Sequence, residues 1–218
     1  MEKNIVIIYD FDGTFYSGEK VFSKIKEKVD ANKRSFLPNI SDSDYETICK
    51  ENPLWLEKST GADIVDLLYL FNEKYPSLDI SVDAFNEWQE NDKYEIVLTG
   101  AHLVSPRFIE WICSLYPVYI VSNSSNSHLN RYLKTLGMDR DWFEDVISNK
   151  FIKEDRTKKH IYKSIMEKEN VSASEVYVFG DSKRSDLEPA KALNMNTFFV
   201  SDAYDLEEIT IDATDSKK

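Results

Sequence analysis

The sequence is poor in the residues that define several common classes of protein. Its 218 residues include only two cysteines, Cys49 and Cys113, which stand far apart without a CxxC pair or a Cys/His cluster. This spacing argues against a structural zinc site and against a disulfide scaffold. Only six glycines occur, and no GxGxxG follows the first apolar run, which excludes a Rossmann dinucleotide-binding protein.

Long apolar runs and positive charge are also scarce. No segment approaches the roughly 20 apolar residues that a membrane-spanning helix needs, and the N-terminal apolar run is too short for a secretory signal. We therefore expect a cytoplasmic protein with no membrane partner. The formal net charge is −12, which repels nucleic acid, so no nucleic-acid partner is expected. The hydrophobic content of 42% is ample for a packed core.

Four short apolar runs are each followed by small polar or acidic residues, a pattern that predicts buried strands. The runs are 4–9, 117–121, 175–179 and 196–200. Between them, apolar residues recur at helical spacing, as in the stretch Leu129–Leu136, which Gly137 follows as a C-cap. Strands that alternate with helices predict an α/β fold, a Rossmann-like parallel sheet flanked by helices.

One long segment, 17–104, breaks this alternation. It contains no run that predicts a buried strand, but several apolar patterns at helical spacing, and the stretch Ser41–Asp44 supplies a helix cap. We therefore predict a core domain from residues 1–16 and 105–218, with a helical cap domain of residues 17–104 inserted after the first strand. The tail after Asp212 is expected to fray.

Acidic residues come directly after two of the predicted strands. Asp10 and Asp12 follow the first strand, and Asp181 and Asp186 follow the third. In a parallel sheet, ligands bind at the carboxyl ends of the strands. Several carboxylates at one edge would repel each other unless a cation lay among them. Asp186 could instead cap the helix that begins near Leu187, but such a cap does not explain Asp181.

Groups that can hold an anion fall at the same edge. Ser122 and Asn123 follow the second strand and precede a helix, where hydroxyl and backbone N–H groups can bind phosphate; an ordinary helix cap is the alternative. The stretch Lys150–Lys163 has six Lys or Arg residues against two acids in an otherwise acidic chain. Carboxylates for a cation, with hydroxyl, amide and cationic groups for an anion, suit phosphoryl transfer.

The order of these motifs resembles that of the haloacid dehalogenase superfamily. The segment YDFDGT at 9–14 is similar to the first motif, VSN at 121–123 to the second, and GDS at 180–182 with Asp186 to the fourth. The predicted helical insertion is similar to the cap domain that many members carry between their first and second motifs. The resemblance therefore extends through essentially the whole chain.

The third motif is where the sequence departs from the family. Members often have Lys-Pro at this point, and no Lys-Pro occurs in this region. We choose Lys158 as the third-motif cation, because it stands at the start of the helix predicted to end before Asn170. The alternatives that stay open are Lys153, Arg156 and Lys159.

The resemblance implies a Mg²⁺-dependent phosphatase. Asp10 would be the nucleophile that forms an aspartyl-phosphate, and Asp12 would be the general acid and base. The implied metal ligands are Asp10, Asp12 through its backbone carbonyl, Asp181 and Asp186. The implied phosphate-binding residues are Thr14, Ser122, Asn123 and Lys158.

The substrate is expected to be a small phosphorylated metabolite, of the sugar phosphate, phosphoglycolate or nucleoside monophosphate class, and the protein a monomer or weak homodimer. Four aromatic residues either line the cap cleft or are ordinary core and surface residues: Tyr16, Trp55, Trp88 and His102. A sugar phosphomutase with the same aspartyl-phosphate remains an alternative. A non-catalytic phospho-ligand-binding protein is a more remote one, because all four motif aspartates are present.

Overall fold

A five-stranded parallel sheet forms the centre of the computed structural model, which describes residues 5–17, 40–51, 98, 100–148 and 158–215 and the single positions 27, 31 and 76. The strands are β1 (Val6–Tyr9), β2 (Tyr16–Ser17), β3 (His102–Leu103), β4 (Val118–Ser122), β5 (Asp145–Ser148), β6 (Val176–Gly180) and β7 (Asn196–Phe199). The sheet has the order β5-β4-β1-β6-β7 with every neighbouring pair parallel. Strands β2 and β3 form a separate antiparallel pair.

Helices alternate with most of the strands along the chain. Those whose bounds the structure describes are α1 (Asp42–Glu51), α2 (Pro106–Leu115), α3 (Asn126–Thr135), α4 (Lys159–Glu169), α5 (Glu188–Lys191) and α6 (Leu206–Asp215). A π-helical turn, Lys183–Leu187, precedes α5, and short 3₁₀ turns occur at Arg140–Trp142, Ala173–Glu175 and Ala203–Asp205. The α/β fold predicted from the alternation of strand and helix patterns is confirmed.

Both faces of the sheet are covered by apolar side chains, as expected when helices flank a parallel sheet. On β1, Ile7 and Tyr9 belong to one core cluster, together with buried residues of α2, α3 and α6. The alternate residues Val6 and Ile8 belong to the other cluster, together with buried residues of α4 and α5. Strand β1 is therefore buried on both faces, which explains why its sequence is a continuous apolar run rather than an alternating one.

The four strands predicted from apolar runs are present as β1, β4, β6 and β7. Strand β5 was missed because it has no continuous apolar run: Val146 is buried, but Asp145 is exposed and Ile147 is half-buried. The strand at the opposite edge, β7, has such a run and was predicted.

Helix ends agree with the predicted caps at several positions. Helix α3 is followed by Gly137 at φ +75°, the left-handed conformation that glycine adopts without strain. At the start of α1, the backbone N–H of Asp44 donates to the hydroxyl of Ser41. The expectation that the tail frays after Asp212 was wrong for residues 213–215: α6 continues to Asp215, because Ala213 and Thr214 in its last turn are buried. Residues 216–218 lie outside the described part of the chain.

Most of the predicted cap domain, residues 17–104, lies outside the described residues, so its helical character stays a prediction. Helix α1 lies within it. The short β2–β3 pair joins Ser17 to His102, close to the two predicted domain boundaries. Among the helices that the structure describes, none combines the length and apolar character that crossing a membrane requires.

Candidate active site

The carboxyl ends of three neighbouring strands bring the motif residues to one edge of the sheet. Tyr9 at the end of β1 pairs with Ile120 of β4 on one side and with Phe179 of β6 on the other. Asp10 follows β1 and donates its backbone N–H to the carbonyl of Phe179 at 2.8 Å. The segments after β1, β4 and β6 are therefore adjacent in space, as the sequence predicted.

Three carboxylates converge beside the end of β1. Asp10, Asp181 and Asp186 each offer one carboxylate oxygen, and these oxygens lie within 4.8 Å of one another. Asp10 and Asp186 are buried and Asp181 is half-buried. Such a group of hard oxygen ligands around a small space suits a divalent cation, and carboxylates this close repel each other without positive charge. We call these three residues the carboxylate cluster.

Lys158 supplies positive charge to this cluster from the start of α4. Its side chain is 1% exposed, and its Nζ donates to Oδ1 of Asp10 at 2.7 Å and to Oδ1 of Asp186 at 2.6 Å. Burial alone would lower the pKa of Lys158, but Asp10 and Asp186 raise it well above its ordinary value. The lysine is thus held as a cation in the interior.

The pKa of Asp10 lies well above the ordinary value for aspartate. Burial is the largest cause and repulsion by Asp186 the next, while Lys158 only partly offsets them. The hydroxyl of Thr14 also approaches Oδ2 of Asp10, at 3.4 Å. One lysine does not balance the negative charge gathered here, so a further cation would stabilise the ionised form of Asp10.

Two glycines allow the backbone to lie close to the carboxylate cluster. A Cβ atom at Gly13 would overlap the carboxylate of Asp181, and one at Gly180 would lie 2.7 Å from both Cβ and Cγ of Asp186. Gly13 also has φ +86°, which L-residues with side chains rarely adopt. The glycines of the first and fourth motifs therefore have a steric role, because any side chain would displace a carboxylate of the cluster.

Asp12 has different partners from Asp10. Its Oδ1 accepts hydrogen bonds from the hydroxyl of Tyr16 and from Nε2 of His128, the latter at 2.8 Å. Its Oδ2 accepts from the hydroxyls of Ser122 at 3.1 Å and Ser124 at 2.6 Å. Four donors fill the lone-pair positions that a carboxylate offers. We call Asp12 and these four donors the Asp12 network.

These contacts lower the pKa of Asp12. Burial acts to raise the pKa, but the nearby His128 and the hydrogen bonds from His128, Ser124 and Tyr16 outweigh it and hold the pKa well below the ordinary range. The side chain of Asp12 remains 34% exposed, so it can be reached from solvent.

The remaining predicted site residues lie as follows. Ser122 ends β4, and its hydroxyl donates to Asp12 and accepts the backbone N–H of Ser124 at 3.0 Å. Asn123 is half-buried in the loop between β4 and α3. Of the third-motif alternatives, Lys159 is half-buried in the first turn of α4, while Lys153 and Arg156 lie outside the described residues.

The four aromatic residues proposed for the cleft have different surroundings. Tyr16 is buried and contacts Asp12. His102 stacks on Tyr204 with ring centroids 4.3 Å apart, and its Nδ1 lies 2.7 Å from Oδ2 of Asp202. Trp55 and Trp88 lie outside the part of the chain that the structure describes.

Sequence reasoning missed two partners of Asp12. Ser124 stands in the loop after β4, two residues beyond Ser122, and His128 stands in the first turn of α3. The helix cap carries the signal that could have found His128: Ser125 accepts the backbone N–H of His128 at 3.2 Å, which starts α3 at the same edge of the sheet. In that turn His128 is buried, whereas Asn126 and Ser127 are exposed.

Comparison with known protein families gives a match over most of this chain. The family model for haloacid dehalogenase-like hydrolases matches residues 6–194. This range includes Asp10, Asp12, Lys158, Asp181 and Asp186. A search of curated proteins found no match to the sequence.

Solved structures resemble this chain in fold at low sequence identity. A predicted phosphoglycolate phosphatase from Haemophilus somnus has a TM-score of 0.56 at 17% identity, covering 96% of this chain and 99% of its own. A candidate β-phosphoglucomutase from Thermotoga maritima has a TM-score of 0.53 at 17% identity, with 89% and 84% coverage. A candidate haloacid dehalogenase-type hydrolase from Bacillus subtilis, with bound magnesium, has a TM-score of 0.53 at 16% identity, with 91% and 89% coverage.

Proposed function

Because the chain belongs to the haloacid dehalogenase-like hydrolases, we propose that it is a magnesium-dependent phosphatase acting through an aspartyl-phosphate on Asp10. The observation that carries this proposal is the carboxylate cluster with its buried lysine: Asp10 lies within hydrogen-bond distance of Lys158 and close to two further carboxylates. A nucleophile, a cation for the phosphate and ligands for a metal ion are then within one small region.

Charge is the main obstacle to attack by Asp10 on a phosphate. Two like unit charges 4 Å apart cost about 4 kcal/mol at an effective dielectric constant of 20. Lys158 offsets part of this repulsion, because its ammonium group is held at the nucleophile. Mg²⁺ held by Asp10, Asp181 and Asp186 would supply the remaining positive charge, and the oxygen ligands and their spacing fit such an ion.

Asp12 would carry the proton in both halves of the reaction. Because the pKa of Asp12 is lowered in the free protein, Asp12 would first take up a proton from the bound phosphomonoester or from solvent. In the first half, a bond forms between Asp10 and phosphorus, the bond to the leaving oxygen breaks, and the leaving oxygen takes that proton from Asp12. In the second half, Asp12 takes a proton from the water that attacks the aspartyl-phosphate and then releases it to solvent, which restores its ionised form. General acid–base catalysis of this kind is worth about 10²–10⁴-fold.

Phosphate binding would use groups that already lie at the strand ends. Thr14 is buried beside Asp10, and Ser122 ends the adjacent strand. In this structure the hydroxyl hydrogen of Ser122 points to Asp12, so the hydroxyl would rotate to donate to a phosphate oxygen. Asn123 would add its amide from the same loop.

Hydrolysis of p-nitrophenyl phosphate tests the proposal. The purified protein is assayed with Mg²⁺, with EDTA, and as the Asp10→Asn variant. Turnover that requires Mg²⁺ and is lost in Asp10→Asn is the expected result. Turnover that persists in Asp10→Asn would contradict the proposed nucleophile. Active protein would then be screened against sugar phosphates, phosphoglycolate and nucleoside monophosphates, the substrate classes we propose.

A sugar phosphomutase is a second candidate, because the Thermotoga maritima structure that resembles this chain is a candidate β-phosphoglucomutase. A mutase would use the same Asp10 and Asp12 but would return the phosphoryl group to sugar instead of water. Conversion of glucose 1-phosphate to glucose 6-phosphate that depends on added glucose 1,6-bisphosphate would favour the mutase. Release of inorganic phosphate from sugar phosphates without that cofactor would favour the phosphatase.

A further inference from the structure

We propose that His128 and Tyr16 are positioning residues for Asp12, and that they determine how fast the site expels a strongly basic leaving group. This inference rests on the proposed function, because it concerns the proton that Asp12 delivers to the leaving oxygen. It assigns a role to two residues outside the motif positions identified from the sequence.

The two carboxylate oxygens of Asp12 accept hydrogen bonds from different kinds of donor. At Oδ1, the donors are the imidazole of His128, 2.8 Å away, and the phenol of Tyr16. At Oδ2, the donors are the hydroxyls of Ser122 and Ser124. Serine hydroxyls rotate readily and can accept as well as donate. Oδ2 can therefore exchange partners with little rearrangement.

The donors at Oδ1 are more rigid. His128 is 4% exposed, and its ring lies against Tyr132 with centroids 4.3 Å apart. Its backbone N–H is bound by the helix cap Ser125. Tyr16 is 1% exposed and packs on Phe11 at 5.8 Å and on Tyr132 at 6.0 Å between ring centroids. Tyr132 thus contacts both donors, and the aromatic packing holds their polar atoms at Oδ1.

A carboxylate held at Oδ1 presents Oδ2 in a fixed direction. Oδ2 is then the atom that carries the proton to the leaving oxygen, with Ser122 and Ser124 able to turn away or to accept. Positioning matters for rate, because a misplacement of about 1 Å can cost roughly 10²-fold. Loss of the donors at Oδ1 should therefore weaken proton delivery without removing the nucleophile.

Two substrates of similar size separate this role from a general structural one. p-Nitrophenyl phosphate releases a stabilised phenolate that leaves without a proton, whereas p-nitrobenzyl phosphate releases a basic alkoxide that needs one. The value of kcat/KM reports the first half of the reaction only, so it isolates the acid role of Asp12 from its later role as base. The ratio of the two kcat/KM values is the measurement.

The variants are chosen to separate loss of a donor from loss of packing. His128→Phe keeps an aromatic ring against Tyr132 but removes the donor, while His128→Gln keeps an N–H that can reach Oδ1. Tyr16→Phe removes only a hydroxyl. Tyr119→Phe is its matched control, because Tyr119 also donates its hydroxyl to a carboxylate, that of Glu169, and stands three residues before the end of β4.

We expect His128→Phe and Tyr16→Phe to lower kcat/KM for p-nitrobenzyl phosphate by about 10-fold to 100-fold, and that for p-nitrophenyl phosphate by less than about threefold. His128→Gln should recover part of the loss, and Tyr119→Phe should leave the ratio unchanged. In the Asp12→Asn background, His128→Phe should have no further effect on the ratio, since the group it positions is gone.

Equal losses on both substrates, or an unchanged ratio in variants with wild-type thermal unfolding, would overturn the positioning role while the phosphatase proposal stood. A further fall in the ratio for His128→Phe in the Asp12→Asn background would also overturn it, because His128 would then act independently of Asp12. Failure of the wild-type protein to hydrolyse either substrate would overturn the phosphatase proposal, and this inference with it.

Discussion

Asp10 and Asp12 stand two residues apart after the same strand, yet their surroundings have opposite electrostatic effects. Asp10 is buried beside Asp186 with Lys158 as a shared cation, and its pKa is raised. Asp12 is one-third exposed and accepts four hydrogen bonds, and its pKa is lowered. The comparison shows that position in the chain does not set the chemistry of these carboxylates; their partners from other elements do.

This difference suits two separate roles. Asp10 lies where a metal ion can offset the cost of its charge, so its ionised form becomes favourable when the ion is bound. Asp12 is already well satisfied by protein donors, so it needs no metal ion to hold its position. Pairs of acids whose environments shift their pKa values apart are typical of sites that assign them distinct roles.

The largest expected effect comes from replacing each aspartate in turn. Asp10→Asn removes the nucleophile, so kcat for p-nitrophenyl phosphate should fall by about 10⁴-fold or more. Asp12→Asn leaves the nucleophile in place and should lower kcat by about 10²–10⁴-fold, since it removes general acid–base catalysis. Steady-state kinetics measure both. Similar rates in wild type and Asp12→Asn would exclude Asp12 from the mechanism.

The same two substitutions should differ in their effect on the free energy of unfolding. In EDTA, Asp10→Asn removes a carboxylate whose charge is opposed by burial and by Asp186, so the free energy of unfolding should stay equal or rise. Asp12→Asn leaves donors of the Asp12 network without an ionised acceptor, which costs about 1–3 kcal/mol. Urea unfolding measures the free energy of unfolding of both variants. A larger loss of stability in Asp10→Asn than in Asp12→Asn would contradict the difference described between the two carboxylates.

Replacing the buried lysine should affect stability and metal binding together. Lys158→Met leaves Asp10 and Asp186 without their shared cation, and breaking a buried ion pair in this way costs about 3–5 kcal/mol. Because the remaining carboxylates then lack positive charge, Mg²⁺ should raise the unfolding temperature of the variant more than that of wild type. Differential scanning fluorimetry across Mg²⁺ concentrations measures this.

Lys159→Met discriminates between the two lysines at the start of α4. Lys158 contacts Asp10 and Asp186, whereas Lys159 is half-buried in the first turn of the helix. We expect Lys159→Met to show the Mg²⁺ response of wild type. A stronger response in Lys159→Met than in Lys158→Met would assign the third-motif role to Lys159 instead.

Two glycines with positive φ test the crowding around the carboxylate cluster. Gly13→Ala places a methyl group against Asp181, whereas Gly137→Ala meets only Pro106 Cγ at 4.0 Å. Both variants bear the backbone cost of about 1–2 kcal/mol for a left-handed residue with a side chain. Only Gly13→Ala should also weaken Mg²⁺ binding, by about 10-fold or more, as measured by Mg²⁺ titration of the phosphatase rate. Equal Mg²⁺ affinity in the two variants would contradict the steric role of Gly13.

The smallest expected effect is a shift in the pH profile. Because the pKa of Asp10 is raised and only its ionised form attacks, kcat/KM should increase with pH through that pKa. Mg²⁺ favours the ionised form, so a higher Mg²⁺ concentration should move this limb to lower pH by about one unit. Measuring the profile with one substrate at two Mg²⁺ concentrations removes the contribution of substrate ionisation. If the rising part of the pH profile stayed at the same pH at both Mg²⁺ concentrations, Asp10 would not be a ligand of the metal ion.

Much of the fold could be predicted because buried parallel strands leave a strong pattern. The runs that became β1, β4 and β6 are buried on every residue, so each appears as an unbroken apolar run ended by polar residues. Strand β5 and the β2–β3 pair left no such pattern, since β5 is partly exposed and the other two strands have two residues each.

The residues of the candidate site also fall into those that could be predicted from the sequence and those that could not. The aspartates after β1 and β6 could be predicted because they immediately follow strong strand patterns. The donors of the Asp12 network could not, because the contact of His128 with Asp12 depends on how α3 packs against the sheet. Sequence spacing predicts which residues begin a helix, but tertiary packing determines which carboxylate their side chains reach.

Trapping the phosphorylated protein is the most direct test of the central proposal, an aspartyl-phosphate on Asp10. The protein is mixed with Mg²⁺ and p-nitrophenyl phosphate, quenched in acid, reduced with borohydride and digested, so that an acyl phosphate becomes homoserine at the modified position. Tandem mass spectrometry should find homoserine at residue 10 in wild type and in greater yield in Asp12→Asn, whose second half-reaction is slower. Homoserine at another aspartate, or none during active turnover, would contradict the account.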